Sequence, residues 1–296
     1  MFLNSYLFHS IELIFFCNET KELEVKIWIG WISLVDETIG IIGAGYLGRT
    51  LAETLIEHGY PKKRLMISYK GSLSTFENIK KAGLIENITD NKKICQKSTV
   101  IFIAVKPQSL KEVKDIPFTR NSIVVSCMAG ISLATLKKSL GINISRIMPS
   151  GPDTIKEKKG IVAVFPQNDI LTEILSFIDL KVHELQNEEM MHIFTVGVCL
   201  PAALLIANKK RLDIDHAIKC LEKEYIDFKE IYTWAINVLP DFASDKEEEN
   251  YIEYMCTKGG ITEAIIGSLN SGDTFWNALR KGIARSKEIS TFARLT

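Results

Sequence analysis

From residue 37 to about residue 165, short unbroken apolar runs alternate with stretches of helical periodicity. The runs lie at 39–42, 65–67, 100–105, 123–125, 146–148 and 161–165. Continuous apolar character over such lengths fits parallel strands covered on both faces. Between the first two runs, Leu47, Leu51, Leu55 and Ile56 share one helical face, and Gly59-Tyr60-Pro61 stops the helix. Ser74 and Glu77 have capping-box spacing, which predicts a second helix ending at Gly83. Alternating strands and helices predict an open α/β sheet. After Asn168 the strand signals nearly vanish, and residues 171–178, 188–209, 215–238, 246–255 and 262–290 read as helices. The expected organisation is therefore an unassigned extension over 1–36, an α/β domain over 37–167 and an all-α domain over 168–296, with the crossing at 166–186.

Composition narrows the function classes. The 36 Lys and Arg balance the 36 Asp and Glu, so the basic excess expected of a nucleic-acid binder is missing. A net charge near zero also favours self-association. Six scattered cysteines without a CxxC pair point away from a disulfide framework or a metal site and towards a reducing cytoplasm. The apolar residues 1–17 contain Glu12 and lack a basic start, unlike a secretory signal. Residues 190–207 just reach the length of a spanning helix, but His192 and Pro201 favour a helix buried inside the protein. The acidic cluster Asp245, Glu247, Glu248 and Glu249 reads as the solvated first turn of a helix.

The chemistry concentrates in a few segments. Gly43-Ala44-Gly45-Tyr46-Leu47-Gly48 fits GxGxxG between an apolar strand and a helix. That setting makes 37–167 a Rossmann-like dinucleotide-binding domain, in which Gly43 makes the tight turn, Gly45 lets a pyrophosphate approach and Gly48 allows close helix–strand packing. An NAD site would add an acid near the end of the second strand. Here that segment is Ser68-Tyr69-Lys70-Gly71-Ser72, whose hydroxyls and ammonium favour the 2′-phosphate of NADP(H), with NAD(H) the second choice. Three more segments, Lys106-Pro107-Gln108, Ser126 through Ile131 and Arg146 through Ser150, fall where parallel strands end, the ligand-binding edge of such sheets.

With these motifs the chain resembles the pyrroline-5-carboxylate reductase family over about residues 38–290. The resemblance rests on IGIIGAGYLG, FIAVKPQ, VVSCMAGI, RIMPS and Thr257-Lys258-Gly259-Gly260-Ile261-Thr262. It implies an NADPH-dependent reduction of a cyclic imino acid to proline, in a cytoplasmic protein that is at least a dimer. It places Gly43 to Leu47 on the pyrophosphate, Tyr69 and Lys70 on the adenosine phosphate, and Asn91 near the adenine ribose. Ala104, Val105, Lys106 and Pro107 fall beside the nicotinamide ribose, and Ala129 on the next cofactor loop. Gly259, Gly260, Ile261 and Thr262 match the loop whose N–H groups receive the substrate carboxylate, and Thr262 is the residue expected to hydrogen-bond the ring nitrogen. An interlocked partner subunit would account for the apolar stretch at 190–207. The five histidines match none of the motifs and read as structural or surface groups.

The chain also departs from the family pattern. Ser150 replaces an asparagine, Lys258 a loop proline, and Tyr254 an asparagine that contacts cofactor in some members. Val198-Cys199-Leu200-Pro201-Ala202 replaces a Gly-Ser-Gly-Pro-Ala segment. Lys-Gly-Gly-Ile-Thr and Met-Pro-Ser are similar to the competence-associated ComER paralogues as well. Two alternatives thus stand beside the proline reductase: a nucleotide-binding paralogue without catalysis, and a reductase of another small imine or carbonyl acid. Residues 1–36 have no family counterpart, and a non-AUG start near Leu34 or Val35 would leave 1–34 as a translation artefact or a loose arm.

Overall fold

The structure, a computed structural model, describes residues 37–119 and 121–295. The expectations for residues 1–36 lie outside the described residues. Seven strands form one sheet: β1 (Ile39–Ile42), β2 (Leu65–Ser68), β3 (Val100–Ile103), β4 (Ile123–Ser126), β5 (Ile144–Pro149), β6 (Ile161–Phe165) and β7 (Lys181–Glu184). Their order is β2-β1-β3-β4-β5-β6-β7. All neighbours pair in parallel except β5 and β6, which are antiparallel. The run at 161–165 was expected to be parallel; its reversal follows from the short link after β5, too short for a full crossover. The expected crossing segment at 166–186 holds β7, a strand whose mixed sequence Lys-Val-His-Glu hid it.

Short helices cover the sheet: α1 (Tyr46–Glu57), α2 (Leu73–Lys81), α3 (Asn91–Lys97), α4 (Leu110–Val113), α5 (Leu133–Leu140), α6 (Pro152–Lys156) and α7 (Asp169–Phe177). On α1, Leu51 and Leu55 are buried as their spacing predicts. α2 begins two residues earlier than the capping-box reading. Ser72, not Ser74, is the cap and accepts from the Thr75 N–H at 3.5 Å, because extended backbone at Ser72 frees its hydroxyl to face the helix end.

The rest of the chain is helical: α8 (Met190–Val198), α9 (Leu200–Lys209), α10 (Ile214–Glu222), α11 (Phe228–Asn237), α12 (Asp245–Met255), α13 (Ile261–Asn270) and α14 (Phe275–Leu295). Three stretches that read as single helices are each broken in two. The break at Cys199 precedes Pro201, which has no N–H to donate, and α8 and α9 meet there at 60°. Among the described residues no single helix is long and apolar enough to cross a membrane, although this bent pair could by length and composition alone. Its side chains are instead buried: Met191, Phe194, Val196, Leu200, Ala203, Leu204 and Ala207 form one core with Phe228, Ile231, Leu269, Phe275 and Leu279. The chain therefore buries this stretch by itself, and the apolar sequence at 190–207 does not call for a partner subunit. Met148, Ile161 and Ala163 join the same core, so the helices pack directly on the sheet. Ser244 caps α12, and Asp245, Glu247 and Glu248 lie in its first turn, as their charge favours.

Candidate active site

The sheet order reverses direction at β1, so the crevice between the ends of β1 and β3 is the position where open α/β sheets bind ligands. Gly43 leaves β1 at φ 101°, a conformation that only glycine adopts without strain. A Cβ on Gly43 would lie 2.6 Å from Val105 Cγ1 and 3.0 Å from the Ala104 carbonyl oxygen. Gly48 is tighter still, since its Cβ would stand 2.1 Å from the Gly43 oxygen. Gly45 differs: nothing lies within 4 Å of a Cβ built there. The loop thus leaves an open cradle above Gly45 at the N-terminus of α1, the geometry that admits a pyrophosphate. Ala44 donates its N–H to the Ser68 carbonyl at 2.7 Å, which joins this loop to the end of β2.

The residues assigned to the adenosine side gather at that end. The Ser68 hydroxyl donates to Asn91 Oδ1 at 2.5 Å, bringing Asn91 from α3 to β2. Tyr69 stacks on Phe76 of α2 with 6.1 Å between ring centres. Lys70 is exposed and pairs with Glu112 of α4 at 2.6 Å. On the other side of β1, Ala104 donates to the Ile42 carbonyl at 2.8 Å, so the segment Ala104 to Pro107 continues directly from β3. Lys106 is exposed and precedes the turn that Pro107 opens. Ala129 is exposed, and next to it Gly130 (φ 75°) is covered by Ile289 of α14, whose Cγ2 would lie 2.5 Å from a Cβ there. The helical part therefore reaches the edge of the sheet at the end of β4.

The expected substrate loop is a tight turn. Gly260 donates its N–H to the Thr257 carbonyl at 2.7 Å, with Gly259 at φ 72°. Glu263 Oε2 accepts the Gly259 N–H at 2.7 Å, and Arg285 of α14 donates from Nε and Nη2 to the Gly259 carbonyl at 2.9 and 2.7 Å. Two of the N–H groups expected near a carboxylate, those of Gly259 and Gly260, are therefore committed inside the loop. Among the described residues the N–H groups of Ile261, Thr262 and Glu263, at the start of α13, meet no acceptor. Gly260 is the cap residue of α13, so Thr262 does not cap the helix. It is buried in the first turn, close to the Cys199 thiol. Burial pushes that thiol up to about 11, and the neighbouring Thr262 hydroxyl opposes the rise.

Several residues that hold these loops escaped sequence reading. Asp153 of α6 accepts from Tyr46, in the glycine loop, and from Tyr254 of α12 at 3.0 Å. Its carboxylate, followed by desolvation, raises the pKa of the Tyr46 phenol, so Tyr46 stays protonated. Tyr254, which replaces the asparagine of some family members, is thus linked through Asp153 to Tyr46 in the glycine loop. Arg146 of β5 is 3% exposed and pairs with Glu188, which also accepts the Leu133 N–H at 2.7 Å. Burial pulls the Arg146 guanidinium below its ordinary value while Glu188 pulls it back. Ser150 is buried and accepts the Ile161 N–H at 3.1 Å, a structural role that brings β6 against β5. No sequence motif marks Asp153, Glu188 or Arg285, because their partners are 30 or more residues away or reached only through tertiary packing, as with Arg285 and Gly259.

Residues 38–130 match the sequence model of a family described as NADP oxidoreductase, coenzyme F420-dependent. A pyrroline-5-carboxylate reductase of Corynebacterium melassecola is 32% identical over 123 residues, covering 39% of this chain and 45% of that protein. Pyrroline-5-carboxylate reductase 3 of Danio rerio is 36% identical over 127 residues, covering 40% and 43%. These matches span under half the length of either relative. The fold extends the likeness to the remainder. The structure of a pyrroline-5-carboxylate reductase from Coxiella burnetii aligns with 86% of this chain and 98% of its own, at TM-score 0.56 and 22% identity. That of a Plasmodium falciparum pyrroline carboxylate reductase with NADP bound aligns with 86% and 98%, at TM-score 0.52 and 19% identity. The chain is thus similar in sequence to pyrroline-5-carboxylate reductases over less than half its length, and similar to them in fold over most of it. Of the positions that depart from the reductase pattern, Lys258 lies in the Gly259–Gly260 loop and Tyr254 just before it, while Ser150 joins β5 to β6.

Proposed function

We propose that the chain reduces 1-pyrroline-5-carboxylate to L-proline with NADPH, as a self-associating protein of the cytoplasm. The names of its relatives support this reading, and the observation that carries it is the start of α13. A buried hydroxyl that is not the helix cap stands there with three N–H groups that meet no acceptor among the described residues. Those N–H groups, at the positive end of the helix dipole, suit a carboxylate. The open cradle over Gly45 suits the dinucleotide.

NADPH, when bound, supplies a hydride, which forms a C–H bond at the imine carbon as the C=N π pair moves onto nitrogen. The chain's own part is positioning. Ile261, Thr262 and Glu263 N–H groups would hold the carboxylate, and the Thr262 hydroxyl would turn from Cys199 to the ring nitrogen. The protonated iminium already carries the proton the amine keeps, so no side chain has to deliver one to nitrogen. The test is NADPH oxidation by the purified protein with 1-pyrroline-5-carboxylate, alongside rescue of a proline auxotroph. Thr262→Ala should lower kcat/KM by about ten- to a hundredfold, the scale of one lost hydrogen bond, with NADPH affinity unchanged. Turnover like wild type in that variant overturns the role of Thr262.

A second reading, nucleotide binding without reduction, draws on a different observation. Tyr254 and Tyr46 converge on Asp153, placing a carboxylate and two phenols beside the glycine loop. NADPH binding with no turnover of any small imine or carbonyl acid would favour it.

A further inference from the structure

We propose that Glu112 weakens the chain's preference for NADPH over NADH, by holding the Lys70 ammonium and by offering a carboxylate to a 2′-hydroxyl. The inference rests on the dinucleotide reading above and concerns how that site chooses between two nucleotides. The segment after β2 carries hydroxyls and one cation but no acid, so by sequence it suits a 2′-phosphate. The fold adds the missing acid from elsewhere. Lys70 follows β2 and Glu112 lies on α4, beyond β3, and these two strands flank β1 on opposite sides. Their side chains meet at 2.6 Å, so the pair spans the sheet edge near the glycine loop.

Both partners are largely exposed, 81% for Lys70 and 50% for Glu112. Such a pair is weak and rearranges easily. A 2′-phosphate reaching Lys70 has to displace Glu112 and then remain close to its negative charge. A 2′-hydroxyl meets the opposite situation, because a nearby carboxylate accepts its hydrogen bond, the service an acid at the end of β2 performs in NAD sites. Glu112 thus penalises one nucleotide and assists the other.

The experiment is a set of fluorescence titrations of NADPH and NADH against wild type, Glu112→Gln, Lys70→Ala and the double variant. Competition by 2′,5′-ADP and 5′-ADP isolates the adenosine end. Glu112→Gln should tighten NADPH about three- to tenfold at low salt and leave NADH unchanged or up to about threefold weaker. The gain should shrink at high salt, since the charges are exposed. It should be smaller when Lys70 is already alanine, because only the repulsion between Glu112 and the phosphate then remains to be relieved. An unchanged NADPH-to-NADH ratio in Glu112→Gln, in protein that binds both nucleotides, overturns this inference and leaves the dinucleotide reading standing. Failure of wild type to bind either nucleotide overturns both.

Discussion

Two helices in this molecule, α1 and α13, open directly from a pair of glycines, and they are held in different ways. In the Gly43–Gly48 loop the restraint is steric and local, with Gly48 pressed against the Gly43 oxygen five residues earlier. In the Gly259–Gly260 loop the restraint is polar and partly borrowed, since Arg285 of α14 fixes the Gly259 carbonyl and Glu263 fixes its N–H. A steric restraint is indifferent to salt and pH. A polar one on an exposed loop responds to both. The first loop should therefore behave as a rigid cradle and the second as one that depends on the helices behind it.

The largest expected effect breaks the first loop. Gly48→Ala forces the Gly43 oxygen to move, and should cost about 3 kcal/mol of stability and at least a hundredfold in dinucleotide affinity. Chemical denaturation and nucleotide titration measure the two; near-normal values would show that the loop is soft. Gly45→Ala sharpens the same point, because its Cβ meets nothing within the protein. Stability should change by less than about 1 kcal/mol while nucleotide affinity falls about tenfold. Unchanged affinity would mean that no pyrophosphate lies over Gly45.

The second loop is tested through its support. Arg285→Met should cost about 1 kcal/mol, raise KM for the imine several-fold and leave NADPH affinity alone. A parallel loss of NADPH affinity would show that the two loops are not independent. The smallest effect is on pH. His192 of α8 bonds Ser286 of α14 at 2.8 Å, beside Arg285. Burial, then Arg146 and Lys287, hold the imidazole below its ordinary 6.5 against the opposing pull of Glu189 and Glu188. The unfolded chain thus binds the proton first, so the stability from neutral His192 is complete above about pH 6.5 and declines as pH falls below it. Denaturation midpoints at pH 7.5, 6 and 5 should fall by up to roughly 1 kcal/mol, with a shallower slope in His192→Asn. An identical slope in that variant assigns the acid sensitivity elsewhere, with buried His183 the next candidate.

The same contrast explains what could be read from residues alone. The glycine loop and six of the seven strands were legible, because unbroken apolar runs and GxGxxG are local patterns with local causes. β7 was not, since its alternation of Lys, Val, His and Glu is too short to outweigh its charge. Thr262 stood out as a candidate, and because Thr also suits a helix cap, only the structure, with Gly260 in that position, separates the two roles. Glu188, Asp153 and Glu112 were invisible because each is an ordinary surface residue type whose partner lies 42 or more positions away in every case. The breaks at Cys199 and between α10 and α11 escaped because apolar periodicity runs through them.

The contact of Ile289 with Gly130 has a consequence for biosynthesis. The first five strands leave the ribosome well before α14 does, yet the loop after β4 is completed by α14. About 160 residues separate the two sides of that contact, and at about 5–20 residues per second the nascent sheet waits roughly ten to thirty seconds for its cover. During that interval the edge around Gly130 is open to chaperones or to other nascent chains.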